Sequence, residues 1–217
     1  MNKILSIFFI SCLAFTLSSN ALALKVKISS KIESVQVKHG KKMIKVMRIQ
    51  NQKNKLTGGF AKTSRKCPPF CSQPQQVAPG VETFGELEVI NFMKTKLNKG
   101  KGILVDARTP DWHAKGTIPG SVNIPYKDVS KKVGATDLTI EEAFETFGVE
   151  ETDDGWNFSK AKELVLWCNG PWCGQSPTAI KGLLALGYPA KKVKYYRGGM
   201  QLWKIFGLTV APPMQEE

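Results

Sequence analysis

The run Leu166-Trp167-Cys168-Asn169-Gly170-Pro171-Trp172-Cys173-Gly174-Gln175-Ser176-Pro177 holds two cysteines in a setting suited to thiolate chemistry. Residues 162–167 read as a short buried strand, and Ser176-Pro177 reads as an N-cap followed by proline at the first helical position. Cys168 then opens a loop that a helix N-terminus closes. The positive end of that helix, with the free N–H groups of a Gly/Pro-rich loop, stabilises a thiolate and any anion bound beside it. The competing reading of Cys168 is a buried structural cysteine at a strand end, which leaves the loop and the cap without a packing purpose.

Cys173 lies in the same curved loop, within reach of Cys168. It is read as a resolving thiol that closes a disulfide, as half of a static disulfide, or as a space-filling residue. Four residues separate the two cysteines, so kinship with two-residue redox motifs is not supported. A second pair, Cys67-Pro68-Pro69-Phe70-Cys71, lies where two prolines exclude a helix. Three readings stand for it: a structural disulfide, a redox pair or a metal pair. Zinc is disfavoured because only His39 and His113 exist and neither is at ligand spacing. No metal and no cofactor is expected.

The elements that must position these residues follow from the rest of the chain. With 217 residues it can hold one domain with a real core plus a small extension. Residues 1–23 combine Lys3, an apolar run and Ala21-Leu22-Ala23, the layout of a secretory signal peptide cleaved after Ala23. The run is shorter than the roughly 20 apolar residues of a membrane span. A periplasmic or secreted location is therefore expected, with no stable membrane span after processing. In such a compartment the four cysteines beyond Cys12 are free to oxidise. The net charge of +13 favours anionic small molecules or lipid surfaces. Lysines scattered along the whole chain, in an exported protein, argue against nucleic acid.

Residues 24–82 are expected to be a β-rich extension and linker. Val26 and Ile28, Val35 and Val37, and Ile44 and Val46 alternate around a turn at His39-Gly40-Lys41, which predicts short strands including a hairpin. Residues 51–82 lose that periodicity and read as a connecting segment over the surface. Beyond them, helical spacing over 85–97 (Leu87, Ile90, Phe92, Met93, Leu97), 139–147 and 177–186 alternates with apolar strands at 102–106, 164–167 and 193–196. That alternation predicts an α/β domain with a mainly parallel sheet covered on both faces, whose sites lie at the carboxyl ends of strands. Asp106 and Cys168 each stand at such an end. Residues 211–217 read as a frayed tail.

The segment Val105-Asp106-Ala107-Arg108-Thr109-Pro110-Asp111-Trp112, followed by 116–125, resembles the strand-end and turn signatures of rhodanese domains. The resemblance continues through Cys168 and its loop, the Leu186-Gly187-Tyr188 helix stop, and Arg197-Gly198-Gly199-Met200-Gln201-Leu202-Trp203, and covers residues 83–210. It implies a three-layer α/β/α rhodanese-like domain, and an exported sulfurtransferase carrying sulfane sulfur as a persulfide on Cys168. A donor such as thiosulfate loads that sulfur, and a thiol or other nucleophile, including an exported protein thiol, removes it. Asn169, Gly170, Pro171, Trp172, Gly174, Gln175 and Ser176 form the substrate and oxyanion loop in this reading, with Cys173 as a resolving thiol. Asp106 and Arg108 support it. The loop is longer than the family's usual one and lacks its frequent arginine or lysine, and Thr117 stands where the family often has histidine. Those departures keep two alternatives open: a thiol-disulfide oxidoreductase using Cys168 and Cys173, and a non-catalytic binding module. His113 reads as a surface residue, Trp172 as a shield or partner contact, and Met200 and Trp203 as core.

Overall fold

The computed structural model describes residues 25–214. The signal-peptide reading of residues 1–23 falls outside them, as do the last three residues of the tail. An antiparallel hairpin comes first, β1 (Ser34–His39) and β2 (Lys42–Met47), turning at Gly40. The domain then runs β3 (Glu82–Phe84), α1 (Glu86–Thr95), β4 (Gly102–Asp106), α2 (Pro110–His113) and β5 (Ser121–Asn123). It continues with α3 (Asp137–Thr146), a second hairpin β6 (Glu150–Thr152) and β7 (Gly155–Asn157), β8 (Glu163–Trp167), α4 (Gln175–Ala185), β9 (Val193–Tyr196) and α5 (Gly199–Ile205). No helix among the described residues is long and apolar enough to cross a membrane.

Five strands form one all-parallel sheet in the order β3-β9-β8-β4-β5. Because successive side chains of a strand point to opposite faces, each central strand feeds two cores. Ile103, Val105, Leu164, Leu166, Val193 and Tyr195 pack with Ile140, Phe144, Ala179, Ile180 and Leu183 of α3 and α4. Leu104, Val165, Trp167 and Tyr196 pack on the other face with Val89, Ile90, Phe92 and Met93 of α1 and Met200 and Trp203 of α5. This is the expected three-layer α/β/α arrangement. Helix starts are satisfied locally: the Glu88 carboxylate accepts the Gly85 N–H at the head of α1, and Thr136 Oγ1 accepts the Thr139 N–H at the head of α3.

The first hairpin belongs to the second core, because Val35, Val37 and Val46 are buried in it. Its edges are tied to the domain as well. The Asn98 side chain accepts from Lys38 N–H and donates to the Gln36 carbonyl, and Thr209 N–H donates to the Met47 carbonyl. His39 is buried between distant segments: Gly120 N–H donates to its Nδ1 at 3.0 Å, and its Nε2 lies 2.8 Å from the Pro212 carbonyl. Both bonds require the tautomer with hydrogen on Nε2.

Several local expectations change. Val26 and Ile28 form no strand, because the Gln50 side-chain amide, instead of a neighbouring backbone, bonds both Val26 N–H and Val26 O. Leu87 sits on the outer face of α1 and is exposed. The expected tail is anchored at its start, since Ala211 and Thr117 exchange backbone hydrogen bonds in both directions. The β6–β7 hairpin was not legible from periodicity. It delivers Trp156 edge-on to Phe144, 4.8 Å between ring centroids, beside Phe158 and Tyr188.

Replacing His39 with alanine leaves the buried Gly120 N–H without an acceptor and cuts the hairpin's link to the chain end. The expected loss is about 1–3 kcal/mol of unfolding free energy, read from urea denaturation.

Candidate active site

Parallel pairing of β4 with β8 sets Asp106 opposite Trp167, and Ala107 N–H donates to the Trp167 carbonyl. The carboxyl ends of two central strands thus deliver Asp106 and Cys168 side by side. Asp106 is fully buried and takes donors on both oxygens. Oδ1 accepts from Arg108 Nε at 2.7 Å and from Arg108 N–H at 3.2 Å. Oδ2 accepts from Arg108 Nη2 at 2.6 Å, His113 Nδ1 at 2.8 Å and Thr117 Oγ1 at 3.0 Å. Burial alone pushes this carboxyl up, but the hydrogen bonds and charges of Arg108 and His113 outweigh it and hold Asp106 below the ordinary 3.8. His113, expected at the surface, is therefore a partner of this cluster. Arg108, also buried, stacks over the Trp167 ring, donates to the Gly116 carbonyl, and points Nη1 at Asn169 Oδ1, 3.5 Å away. The cluster reaches the residue next to Cys168.

Cys168 is 2 % exposed and Cys173 is 6 % exposed. Both are free thiols. Helix α4 starts at Gln175 with Gly174 in the cap position, so Ser176 is not the cap that the sequence suggested. Its hydroxyl instead donates to Cys168 Sγ at 3.0 Å. Pro177 remains in the first turn, where its missing N–H has no helical acceptor to lose. Burial pushes the Cys168 thiol up; the Cys173 thiol, the Ser176 hydroxyl and the backbone N–H groups of Ser176 and Gly170 more than reverse it, and Cys168 falls below the ordinary 9.0. As a thiol, Cys168 donates to the Cys173 carbonyl at 3.2 Å, a bond its ionisation forfeits. Cys173 moves the opposite way: its hydrogen bond to Cys168, burial and the adjacent negative charge all push it up. Of the two sulfurs, Cys168 is the one favoured to ionise and Cys173 the one that keeps its proton. Tyr195, buried nearby, is raised by burial and further by the Cys168 charge, and its hydroxyl has no partner among the described residues.

Helix α5 fixes the loop from behind. Met200 N–H donates to the Cys168 carbonyl and Gln201 N–H to the Asn169 carbonyl, both at 2.9 Å. Gly199 permits this approach: its φ is +54°, and a Cβ there would lie 2.2 Å from the Cys168 carbonyl oxygen. Within the loop, Cys173 N–H closes a turn on the Gly170 carbonyl, and the Cys173 thiol lies 3.7 Å from Gln175 Oε1.

The connecting segment expected over the surface lies across this loop. Gln73 N–H donates to the Pro171 carbonyl at 2.8 Å, while Arg197 holds the Gln73 carbonyl through Nε and Nη2. Phe70 meets Trp172 edge-on at 5.3 Å, and the Arg65 guanidinium covers both rings. Trp172 Nε1 donates to Gln201 Oε1, and Gln201 Nε2 donates to the Phe60 carbonyl. Trp172 is thus half-buried under the chain's own clamp. Cys67 and Cys71, carried on that clamp, are joined in a disulfide. Lys115 lies over Trp112 and Lys204 over Phe60, so the rim is basic. Burial and the Arg108 charge lower Lys204. Sequence reading missed Arg65, Phe70 and Gln73, which have no motif spacing relative to Cys168, and it placed Arg197 and Gln201 in a family motif without their contacts to the clamp and loop. The Gly198-Gly199 pair was the one signal that the loop needed close backbone approach.

Asp106→Asn leaves Arg108 as an uncompensated buried charge and should cost about 3–5 kcal/mol in denaturant titration. Because folding lowers the Asp106 value, its stabilisation is fully present above 3.8 and is lost as pH falls through the lower folded value. Ser176→Ala removes a donor to the Cys168 anion, so the pH profile of Cys168 alkylation should move to higher pH. At about pH 7 the alkylation rate should fall about tenfold.

A family model described as "Rhodanese-like domain" matches residues 90–205. The chain is 28% identical over 153 residues to mouse thiosulfate sulfurtransferase/rhodanese-like domain-containing protein 3, covering 70% of this chain and 82% of that protein. It is 27% identical over 111 residues to the HTH-type transcriptional regulator Rv0324 of Mycobacterium tuberculosis, a match that covers 51% of this chain but only 38% of the regulator. Among solved structures, the BH2092 protein of Bacillus halodurans superposes with a TM-score of 0.43 at 21% identity, covering 61% of this chain and 78% of that one. With more than half of its length matched by the family model, and with the α/β/α sheet the family's signatures imply, the chain belongs to the rhodanese-like domain family.

Proposed function

We propose that this chain is an exported sulfurtransferase that carries sulfane sulfur as a persulfide on Cys168. The observation that carries the reading is the set of donors aimed at Cys168 Sγ, with the Ser176 hydroxyl 3.0 Å away and the first turn of α4 behind it. A thiolate stabilised in this way is the nucleophile the reaction needs. The family assignment and the sulfurtransferase name of the mouse relative support the same reaction class.

Cys168 thiolate attacks the outer sulfur of thiosulfate, the S–S bond of the donor breaks, and sulfite leaves with the bonding pair. The persulfide that remains is itself an anion, held by the same hydroxyl and N–H groups. Asn169, Gly170 and Gly174 keep backbone close to it, and Gln175 and Ser176 begin the helix whose positive end faces it. Asp106 and Arg108 act through Asn169 as positioning residues. The loop lacks a cation, but Arg65, Lys115, Arg197 and Lys204 around the rim draw anionic donors toward it. A thiol or other nucleophile then attacks the outer sulfur and restores the Cys168 thiolate.

A second reading, thiol-disulfide exchange, is favoured by one observation: two free thiols share one buried turn, in which Cys168 Sγ donates to the Cys173 carbonyl at 3.2 Å. Attack of Cys173 on the inner sulfur of the persulfide expels hydrosulfide and leaves a Cys168–Cys173 disulfide.

Protein incubated with thiosulfate should gain one sulfur atom on the Cys168 peptide in mass spectrometry, and Cys168→Ser should gain none. Absence of that adduct with thiosulfate and with a polysulfide donor overturns the reading. Uptake should persist below the pH at which ordinary thiols ionise, because Cys168 is lowered from 9.0.

A further inference from the structure

Two cysteine pairs sit on segments that pack against each other, and they differ in access and in pairing. Cys168 and Cys173 are reduced and buried beneath the clamp. Cys67 and Cys71 are joined in a disulfide on that clamp, with Cys67 exposed and Cys71 half-buried. The contacts between the two segments bracket the cysteines. Phe70, next to Cys71, stacks on Trp172, next to Cys173. On the other side of Cys71, Gln73 bonds the Pro171 carbonyl, and its side-chain Nε2 donates to the Cys71 carbonyl. That same Nε2 lies 3.7 Å from where a Cβ on Gly174 would stand. The segments that carry Cys71 and Cys173 therefore meet at one packed seam, with contacts on both sides of each cysteine.

We infer that Cys67 and Cys71 form an electron relay that re-reduces the Cys168–Cys173 disulfide after sulfur has left as hydrosulfide. The inference rests on the persulfide reading of Cys168 with Cys173 as its resolving thiol. A protein-sized reductant does not reach the inner pair under Phe70 and Trp172. It does reach Cys67.

Two electrons pass from the outer pair to the inner one; of the two protons the outer thiols give up, one goes to Cys173 and the other to solvent. Cys71 thiolate attacks Cys173 Sγ, the Cys168–Cys173 bond breaks, and Cys168 leaves as thiolate. Cys67 thiolate then attacks Cys71 Sγ in the Cys71–Cys173 mixed disulfide, and Cys173 leaves and takes up a proton. An exogenous dithiol reductant returns the outer pair to its thiol form by the same exchange. The donors around the inner pair favour this direction: the Ser176 hydroxyl and the helix start stabilise Cys168 as a thiolate, and stabilising the reduced form of a pair makes its disulfide the stronger oxidant.

The test uses the full chain, reduced with dithiothreitol, desalted without oxygen and given one equivalent of polysulfide. Wild type should release one hydrosulfide per chain and finish with a Cys67–Cys71 disulfide and free Cys168 and Cys173, read by peptide mapping. Cys67→Ser should stop at a Cys71–Cys173 link, and Cys67→Ser/Cys71→Ser should stop at Cys168–Cys173 after one turnover. If wild type ends with Cys168–Cys173 joined and free thiols at Cys67 and Cys71, the relay is overturned while the persulfide reading stands. If no sulfur is taken up, the persulfide reading fails on its own account. The relay is then judged with Cys67→Ser and one equivalent of diamide: a Cys71–Cys173 link supports the exchange, and a Cys168–Cys173 link with free Cys71 overturns it.

Discussion

A buried anion has to be compensated by donors that folding itself puts in place, and in this protein that constraint falls on Cys168. Removed from water at the end of β8, the thiolate form survives only because the Ser176 hydroxyl, the Ser176 and Gly170 N–H groups and the Cys173 thiol converge on it. None of these donors comes from the strand that carries the cysteine. They come from the head of α4 and from the tight turn closed between Gly170 and Cys173. The sheet therefore provides the address and the helix start provides the charge compensation. Any change that moves α4 relative to β8 weakens the anion before it changes the fold.

A second buried ion pair repeats the logic a strand away. Asp106 saturates its oxygens with Arg108, His113 and Thr117, so the guanidinium is held flat against Trp167 with one nitrogen facing Asn169. Pairs of this kind add little net stability over a well-packed apolar core, but they are costly to break and they specify geometry. Here the geometry they specify is the register of the loop's first residue. The two clusters are joined by the β4–β8 pairing and by the Ala107 to Trp167 hydrogen bond, so the sheet's central register positions both.

Much of this was legible in the chain. The continuous apolar strands alternating with the helical spacing of α1, α3 and α4 pointed to the parallel sheet and its two covered faces, and the strand-loop-helix pattern placed Cys168 at a strand end. What was not legible are contacts made across long separations by residues with no local pattern. Ser176 looks like a cap because a serine before a proline usually is one; only the folded loop shows that Gly174 takes the cap and frees the hydroxyl for the sulfur. Segment 51–82 looks like a surface connection because it is polar and aperiodic. It packs across the loop through Phe70, Arg65 and Gln73, none of which is distinguished from a solvent-facing residue by its neighbours in sequence. His113 is indistinguishable from a surface histidine until the turn after α2 folds it back onto Asp106.

Gln201 shows why the clamp and the loop have to be considered as one unit. Its backbone N–H holds the Asn169 carbonyl, its side-chain oxygen accepts the Trp172 indole N–H, and its side-chain nitrogen reaches the Phe60 carbonyl. One residue at the start of α5 thus couples the entry to the loop, its outermost ring and the first anchor of the clamp. The clamp is in turn continuous with a hairpin whose Val35, Val37 and Val46 are buried under α1 and α5. An aromatic ring such as Trp172 at a loop tip would ordinarily be mobile and wet; here it is bracketed by Gln201 and by Phe70 and Arg65, which come from a segment far earlier in the chain. The N-terminal strands are consequently part of the site's framework, because the apolar burial that fixes them anchors the segment that carries Phe60, Phe70 and Gln73 onto the loop.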